Sequence, residues 1–339
     1  MKRSILCLFF VLLATGLALP AFAQDAPKKE EKFVLNLGTI APPATPWSNQ
    51  LNSMAKRIEK ESGGRIEVRL FLGTAGGETS IVRQARRGEL QGAAVSLGAL
   101  ASAVPEMNVF ELPYLFDSFT EADRIIDNHL YGPVKTLLAT YGFELYLFGE
   151  NGYRNFAAKG KCVRTPADLA TLQMRVQESW VHEEMYRALS GNPVRIAVPE
   201  TLPALQTGNV NGFDNTPLFA FAASWYQAVD HWTISDHIYQ PAAVVYSKKW
   251  FDTLPPDLQK VLLDNQKPET DNGRKMVRAL NPLLINNLRA AKITVCELTA
   301  EEKAVFAKDS KKVHTLFRQR VGKKGAELLD IIEKAKKEK

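Results

Sequence analysis

The exchange of strand-like and helix-like segments between Phe33 and Phe148 constrains this chain more than any other feature. Phe33, Leu35 and Leu37 alternate as a first strand, which ends at Gly38-Thr39-Ile40-Ala41-Pro42-Pro43. Thr45 then offers an N-cap and Pro46 the first helical position. Trp47, Leu51, Met54, Ala55 and Ile58 follow at helical spacing before Gly63-Gly64 stops the helix. Ile66, Val68, Leu70 and Leu72 alternate again as a second strand. The rhythm continues with a helix over Glu78–Leu90, a buried strand over Ala93–Leu97, helical segments over Thr120–Leu138 and a strand over Phe143–Phe148. Parallel strands joined by helices predict an α/β sheet, whose ligand sites lie beyond the carboxyl ends of the strands.

At 339 residues the chain is too long for one small core, and two lobes are expected. Its start reads as an export signal: Lys2 and Arg3, an apolar core from Ile5 to Leu19, and Ala21-Phe22-Ala23 as a cleavage site before Gln24. An uncleaved anchor is the alternative, but the run sits at the short end of the roughly 17 to 25 residues a membrane span needs. The expected location is the periplasm, with residues 1–23 removed. Losing Lys2 and Arg3 takes the formal charge from +6 to +4, and the clustered lysines have glutamates nearby, as on a solvated face. No basic stripe interleaved with aromatics predicts a nucleic-acid partner. Cys162 and Cys296 outlast processing, and an exported compartment permits a disulfide between them, although two buried thiols fit the sequence as well.

Leu172-Gln173-Met174-Arg175-Val176 places a cation inside an apolar strand. A guanidinium does not shed its proton, so its burial calls for an anionic partner, and a ligand carboxylate is one way to supply it. Thr165-Pro166 and Thr216-Pro217 begin further helices whose first N–H groups favour anions. Catalytic signatures are missing: there is no GxSxG, HExxH, Walker loop or GxGxxG, and the histidines are scattered. Neither enzymatic activity nor a cofactor nor a metal is expected. After Leu254-Pro255-Pro256 a helical stretch reaches Ala291 with Pro268 and Pro282 inside it, which predicts kinked or broken helices. Ile293–Leu298 reads as a late strand, followed by an amphipathic helical C-terminus.

Several motifs in order resemble the substrate-binding (P) subunits of tripartite ATP-independent periplasmic (TRAP) transporters, the DctP-like solute receptors. They are Glu61-Ser62-Gly63-Gly64-Arg65-Ile66, Glu111-Leu112-Pro113-Tyr114-Leu115-Phe116, and Thr165-Pro166-Ala167-Asp168-Leu169 with Met174-Arg175-Val176. Ala204-Leu205-Gln206-Thr207-Gly208-Asn209-Val210-Asn211-Gly212 completes the order, and the likeness runs from about Phe33 to Lys312. The resemblance implies a two-lobed periplasmic binding protein fold. A cleft would close over a small organic anion and deliver it to the small and large TRAP membrane subunits, with the proline-bent helical stretch bracing both lobes. It places the carboxylate-binding arginine on Arg175, a second polar position on Arg154 and the cleft asparagine on Asn215.

Residues 24–152 with 241–275 are expected to form lobe I, and 153–240 with 276–339 lobe II, hinged near Gly149–Tyr153 and Ile238–Ala242. A monomer is expected. The family often shows Asp-Gly-x-Glu-Asn where this chain has Asn211-Gly212-Phe213-Asp214-Asn215. That change and the nearby rings point to a ligand with an aromatic or apolar body, with Trp180 and Phe213 as cleft walls. Phe219, Phe221 and Trp225 read as helix core. Glu78, after the Gly76-Gly77 turn, either reaches the cleft or caps its helix. The alternatives are a receptor of the same fold for a hydrophobic ligand, a ligand sensor, or a periplasmic enzyme.

Overall fold

The alternation in Phe33–Thr39 buries Leu35 and Leu37 and forms the first strand, β1, of the computed structural model, which describes residues 31–338. The signal-peptide reading falls on residues 1–23, outside the described residues. Thr45 caps the helix Pro46–Glu61 in a reciprocal box with Ser48, and Pro46 stands at its start. One face of that helix buries Trp47, Leu51, Met54 and Ile58, each side chain contributing about 1.5–3 kcal/mol. The helix stops because Gly63 and Gly64 take φ of 64° and 76°, a region costly for any residue with a Cβ. Strands β2 (Ile66–Leu72) and β3 (Gly92–Ser96) then pair with β1, both parallel.

Two long strands organise the rest: β4 (Phe143–Ala158) and, after β5 (Gln173–Val176), β6 (Asn192–Arg195) and β7 (Gly212–Asn215), β8 (His231–Ser247). The long strands run antiparallel, from Phe143 opposite Ser247 to Ala158 opposite His231. At one end β3 joins β8 along Ala242–Tyr246; at the other, β7 joins β4 along Asn155–Ala158, and β5 and β6 follow in parallel. A last strand, β9 (Thr294–Glu297), pairs with β8 along His231–Ile234. One sheet thus has two wings, in the order β2-β1-β3-β8-β4-β7-β5-β6. Between the wings the β4–β8 ladder changes register at Glu150/Gly152 and at Arg154/Phe156, and Gly149–Tyr153 faces Tyr239–Ala242 there. Bulges of this kind bend a strand and loosen its pairing locally.

The 25-residue helix Gln266–Ala290 touches β4, the helix Pro46–Glu61, the short helix Pro217–Ala222 and β9, so it spans both wings. It is not broken at its prolines. Pro268 lies in the first turn, where its missing N–H would be unpaired anyway, and the break falls earlier, at left-handed Asn265 (φ 66°) after the helix Pro256–Leu263. Arg274 and Arg278 bind Asp127 and Asp123, and Arg278 also reaches buried Glu150 on β4. The final helix, Gly322–Lys337, packs on Pro105–Glu111 and on the helical segments between Phe119 and Leu130.

Cys162 and Cys296 form a disulfide across 134 residues of sequence, with Cα atoms 6.3 Å apart. It ties the loop after β4 to β9, and closing so long a loop contributes about 2–4 kcal/mol. No helix among the described residues is long and apolar enough to cross a membrane.

Candidate functional site

Between the wings lies a cavity of about 860 Å³ including its mouth. The carboxyl ends of β1 and β3 bring Thr39 and Ser96, β5 brings Arg175, β7 brings Asn215, and the middle of the long strands brings Arg154 and Gln240. The wings also touch across it. Thr79 donates to Glu178 at 3.3 Å, and Gln177 donates to the buried Glu111 carboxylate at 2.6 Å.

Arg175 sits in the wall with 1% of its surface exposed. Strand alternation sends Met174 and Val176 into the core on the other face, leaving the guanidinium to project toward the cavity. Its Nε donates to the Ile196 carbonyl at 2.9 Å, and its planar group lies 4.8 Å over the Trp225 ring. Among the described residues, neither terminal nitrogen has a hydrogen-bond partner and no acid lies within ion-pair distance. Burial, reinforced by the nearby Arg154 charge, pushes its pKa down to about 10, so it remains a cation at neutral pH.

Arg154 is also buried and lines the same cavity, but its charge is already matched. Nε meets the Asp214 carboxylate at 2.5 Å, one terminal nitrogen donates to the Asp214 carbonyl, and the other reaches Gln240 at 2.9 Å and Asn215 and Gln177 at 3.3 Å. Its bond to Asn215 Oδ1, which also accepts from the Thr216 N–H at 2.8 Å, fixes the side-chain amide. The Asn215 NH₂ is left without a partner among the described residues, at the cavity surface. Burial disfavours the Asp214 carboxylate, yet the Arg154 charge and the flanking His182 and His237 rings hold it well below the usual carboxylate range. His237 is pushed down by burial, against the pull of Asp214 at 3.4 Å.

Both shifts have a pH consequence. Asp214 is more acidic folded than its unfolded value near 3.9, so its stabilisation is complete above that pH and is lost as pH falls further. His237 is less basic folded than its unfolded value near 6.5, so the unfolded chain binds more protons below that pH and stability declines there too. Urea midpoints are expected to fall on acidification from pH 7.5 to 5.5, with His237→Gln flattening that interval. A midpoint that rises on acidification would contradict the assignment.

Glu78 opens the helix Glu78–Arg87 and lines the cavity. Its carboxylate accepts from the Ser96 N–H at 2.7 Å and from the Ser96 hydroxyl at 2.9 Å, so it holds the end of β3 and does not cap its own helix. Burial raises its pKa, partly offset by those two bonds. The structure therefore gathers Glu78, Arg154, Arg175 and Asn215 around one cavity.

Trp180 and Phe213 do not line it, which corrects their reading as cleft walls. Trp180 opens the helix Trp180–Ala188 and stacks parallel to Phe317, with Arg320 over its ring at 5.0 Å. Phe213 pairs in register with Arg175, but its buried ring packs edge-on against Trp225 and Trp232. It supports the indole on which Arg175 rests. The apolar lining comes instead from Val95, Ala99, Leu218 and Phe219, among others. Phe219, expected in the helix core, lines the cavity, as do Gln177 and Gln240, neither of them expected from the sequence. Gln177 carried a signal, since it stands two residues after Arg175, the strand period that returns a side chain to the same face. Of the two Thr-Pro turns, Thr216 lies at the cavity, whereas the Thr165 N–H and hydroxyl are taken by Asp168 away from it.

The family model described as bacterial extracellular solute-binding protein, family 7 (DctP), matches residues 37–320. The chain is 29% identical over 278 residues to a solute-binding protein of Verminephrobacter eiseniae, covering 82% of each chain. It is 28% identical over 312 residues to the C4-dicarboxylate-binding periplasmic protein DctP of Rhodobacter capsulatus, covering 91% of this chain and 92% of that one. The sugar acid binding protein DctPAm of Advenella mimigardefordensis, solved with galactonate, superposes with a TM-score of 0.85 at 25% identity, over 90% of this chain and 99% of that one. Two wings on one α/β sheet, a cavity between them and a match over most of the chain establish that this protein belongs to the DctP family, the two-lobed solute receptors of TRAP transporters.

Proposed function

We propose that this protein is a periplasmic receptor for a small organic anion, whose carboxylate takes the two terminal nitrogens of Arg175 and the side-chain NH₂ of Asn215. The observation that carries this reading is a buried cation with no acidic partner among the described residues, facing a cavity between two wings. A carboxylate accepting a bidentate pair from Arg175 supplies the missing charge and the missing acceptors together. Relatives named for C4-dicarboxylates and for a sugar acid share the carboxylate as the common element of their ligands.

Residues 1–23 act as a cleaved export signal in this reading, and the monomeric receptor passes its ligand to the small and large TRAP membrane subunits. The wings correspond to two lobes divided near residues 152 and 240, where the long ladder shifts register. Closure over the ligand brings together groups from both lobes, and the free energy of those contacts holds the closed form. Arg154 serves as a positioning residue that aims Asn215, and no covalent chemistry is involved. A panel of organic acids in a thermal-shift assay tests the reading: at a hundred times the dissociation constant, a true ligand adds about 2.7 kcal/mol of stability. Absence of any shift across mono-, di- and hydroxycarboxylates would refute it.

A further inference from the structure

We propose that the cavity selects an acid with one carboxylate on a largely apolar body and turns away acids carrying a second carboxylate or many hydroxyls. The proposal rests on the receptor reading above and adds the class of ligand. Its basis is the distribution of uncommitted charge and hydrogen-bonding capacity around the cavity.

Four charged side chains line the space: Arg154, Arg175, Glu78 and Glu178. Asp214 neutralises Arg154, so one cation remains for a ligand and two acids remain in the wall. A first carboxylate meets Arg175 and Asn215. A second, at the far end of the same molecule, finds no matching cation in the lining. It adds a further negative charge to a lining that already holds Glu78 and Glu178, both close enough to Arg175 to act on its charge, and like charges in a cleft repel. Burial already disfavours the Glu78 anion before any ligand arrives.

Much of the wall's hydrogen-bonding capacity is occupied with the fold, and beyond Arg175 and Asn215 the Asn151 amide with the Thr39 and Thr216 hydroxyl protons are the few lining groups without a partner among the described residues. Thr45, Ser96 and Thr216 each cap a helix, and beyond that Thr45 donates to the Pro42 carbonyl and Ser96 to Glu78. The two lining glutamines bind one another at 2.8 Å, and Gln177 also binds Glu111. The Trp47 indole N–H is given to the Glu150 carbonyl at 3.0 Å. A polyhydroxylated body would lose water hydrogen bonds without finding enough replacements. Val95, Ala99, Leu218 and Phe219 offer an apolar body ordinary burial.

Three six-carbon acids separate these contributions: hexanoate, hexanedioate and gluconate, titrated calorimetrically at pH 7.5 into the mature chain. Hexanoate is expected to bind at least about tenfold more tightly than either of the others. Glu78→Gln combined with Glu178→Gln should narrow the gap between hexanoate and hexanedioate at least threefold or so, because it removes the repulsion. Equal or tighter binding of hexanedioate overturns the single-carboxylate part while leaving the receptor reading intact. Tighter binding of gluconate overturns the apolar-body part. A gap unchanged in the double variant overturns the role given to the two acids. No heat from any of the three overturns this inference, and the wider acid panel decides the receptor reading separately.

Discussion

Arg175→Ala is expected to weaken binding of an organic acid by at least about 3 kcal/mol, more than a hundredfold, measured by isothermal titration. The ligand carboxylate would keep the Asn215 amide but lose its buried counter-charge and two donors. Arg175→Lys should recover only part of the loss, since an ammonium is a point charge and does not present the planar fork that meets both carboxylate oxygens. The apo protein should fold nearly as well as before. Arg175 holds no acid in the described structure, so removing it strands no carboxylate and gives up one bond to the Ile196 carbonyl and the stacking on Trp225. Unchanged affinity in a folded Arg175→Ala protein would take this side chain out of the site.

Arg154→Met is expected to do the opposite and act first on stability. It leaves Asp214 buried without its cation, and breaking a buried pair from one side costs about 3–5 kcal/mol. The unfolding midpoint should drop sharply. The companion change Asp214→Asn in the same chain should return part of the loss, because the stranded charge is gone. Any binding that survives should also weaken, since Asn215 loses the bond that orients its amide. A variant as stable as the parent would mean that His182 and His237, which flank the same carboxylate, balance it without help.

The contrast between the two arginines was hidden in the sequence for a physical reason. Each resembles a family position, but what separates them is the partner. The partner of Arg154 lies 60 positions away, whereas Arg175 has none among the described residues. Arg175 could be singled out because an apolar strand with one cation in it has few explanations.

The first half of the fold was legible because its strands alternate and its first helix carries a cap, a proline and a terminating glycine pair. The long strands were not. Phe143–Phe148 reads as a strand that ends before a hinge near Gly149–Tyr153, and Glu150, Asn151 and Arg154 carry no strand pattern. In the structure β4 runs on through them, since Glu150 finds Arg278 and Tyr239, and Arg154 finds Asp214. Polar residues can continue a buried strand when distant partners satisfy them, and local pattern cannot reveal those partners. Strands β5 to β7, of four residues each, are likewise too short for periodicity to be decisive.

Nearness in sequence misled the choice of cleft walls. Trp180 lies five positions from Arg175 but stacks on Phe317, and Phe213 is the register partner of Arg175 but its ring is fully buried against Trp225 and Trp232. Ser96, Gln240 and Phe219 come from three separate segments and meet only because β3, β8 and the short helix after β7 converge between the wings. The disulfide was open in the sequence for the same reason, as Cys162 and Cys296 become neighbours only once β9 is laid against β8.

The central claim is that the guanidinium of Arg175 is held in the wall without an acidic partner until a solute carboxylate reaches it. A crystal structure of the protein grown with the tightest-binding acid from the panel tests it most directly. The account predicts carboxylate oxygens at hydrogen-bonding distance from both terminal nitrogens of Arg175 and from the Asn215 amide, with Arg154 still on Asp214. Arg175 turned onto Glu78 or Glu178, with the ligand carboxylate bound elsewhere, would contradict it.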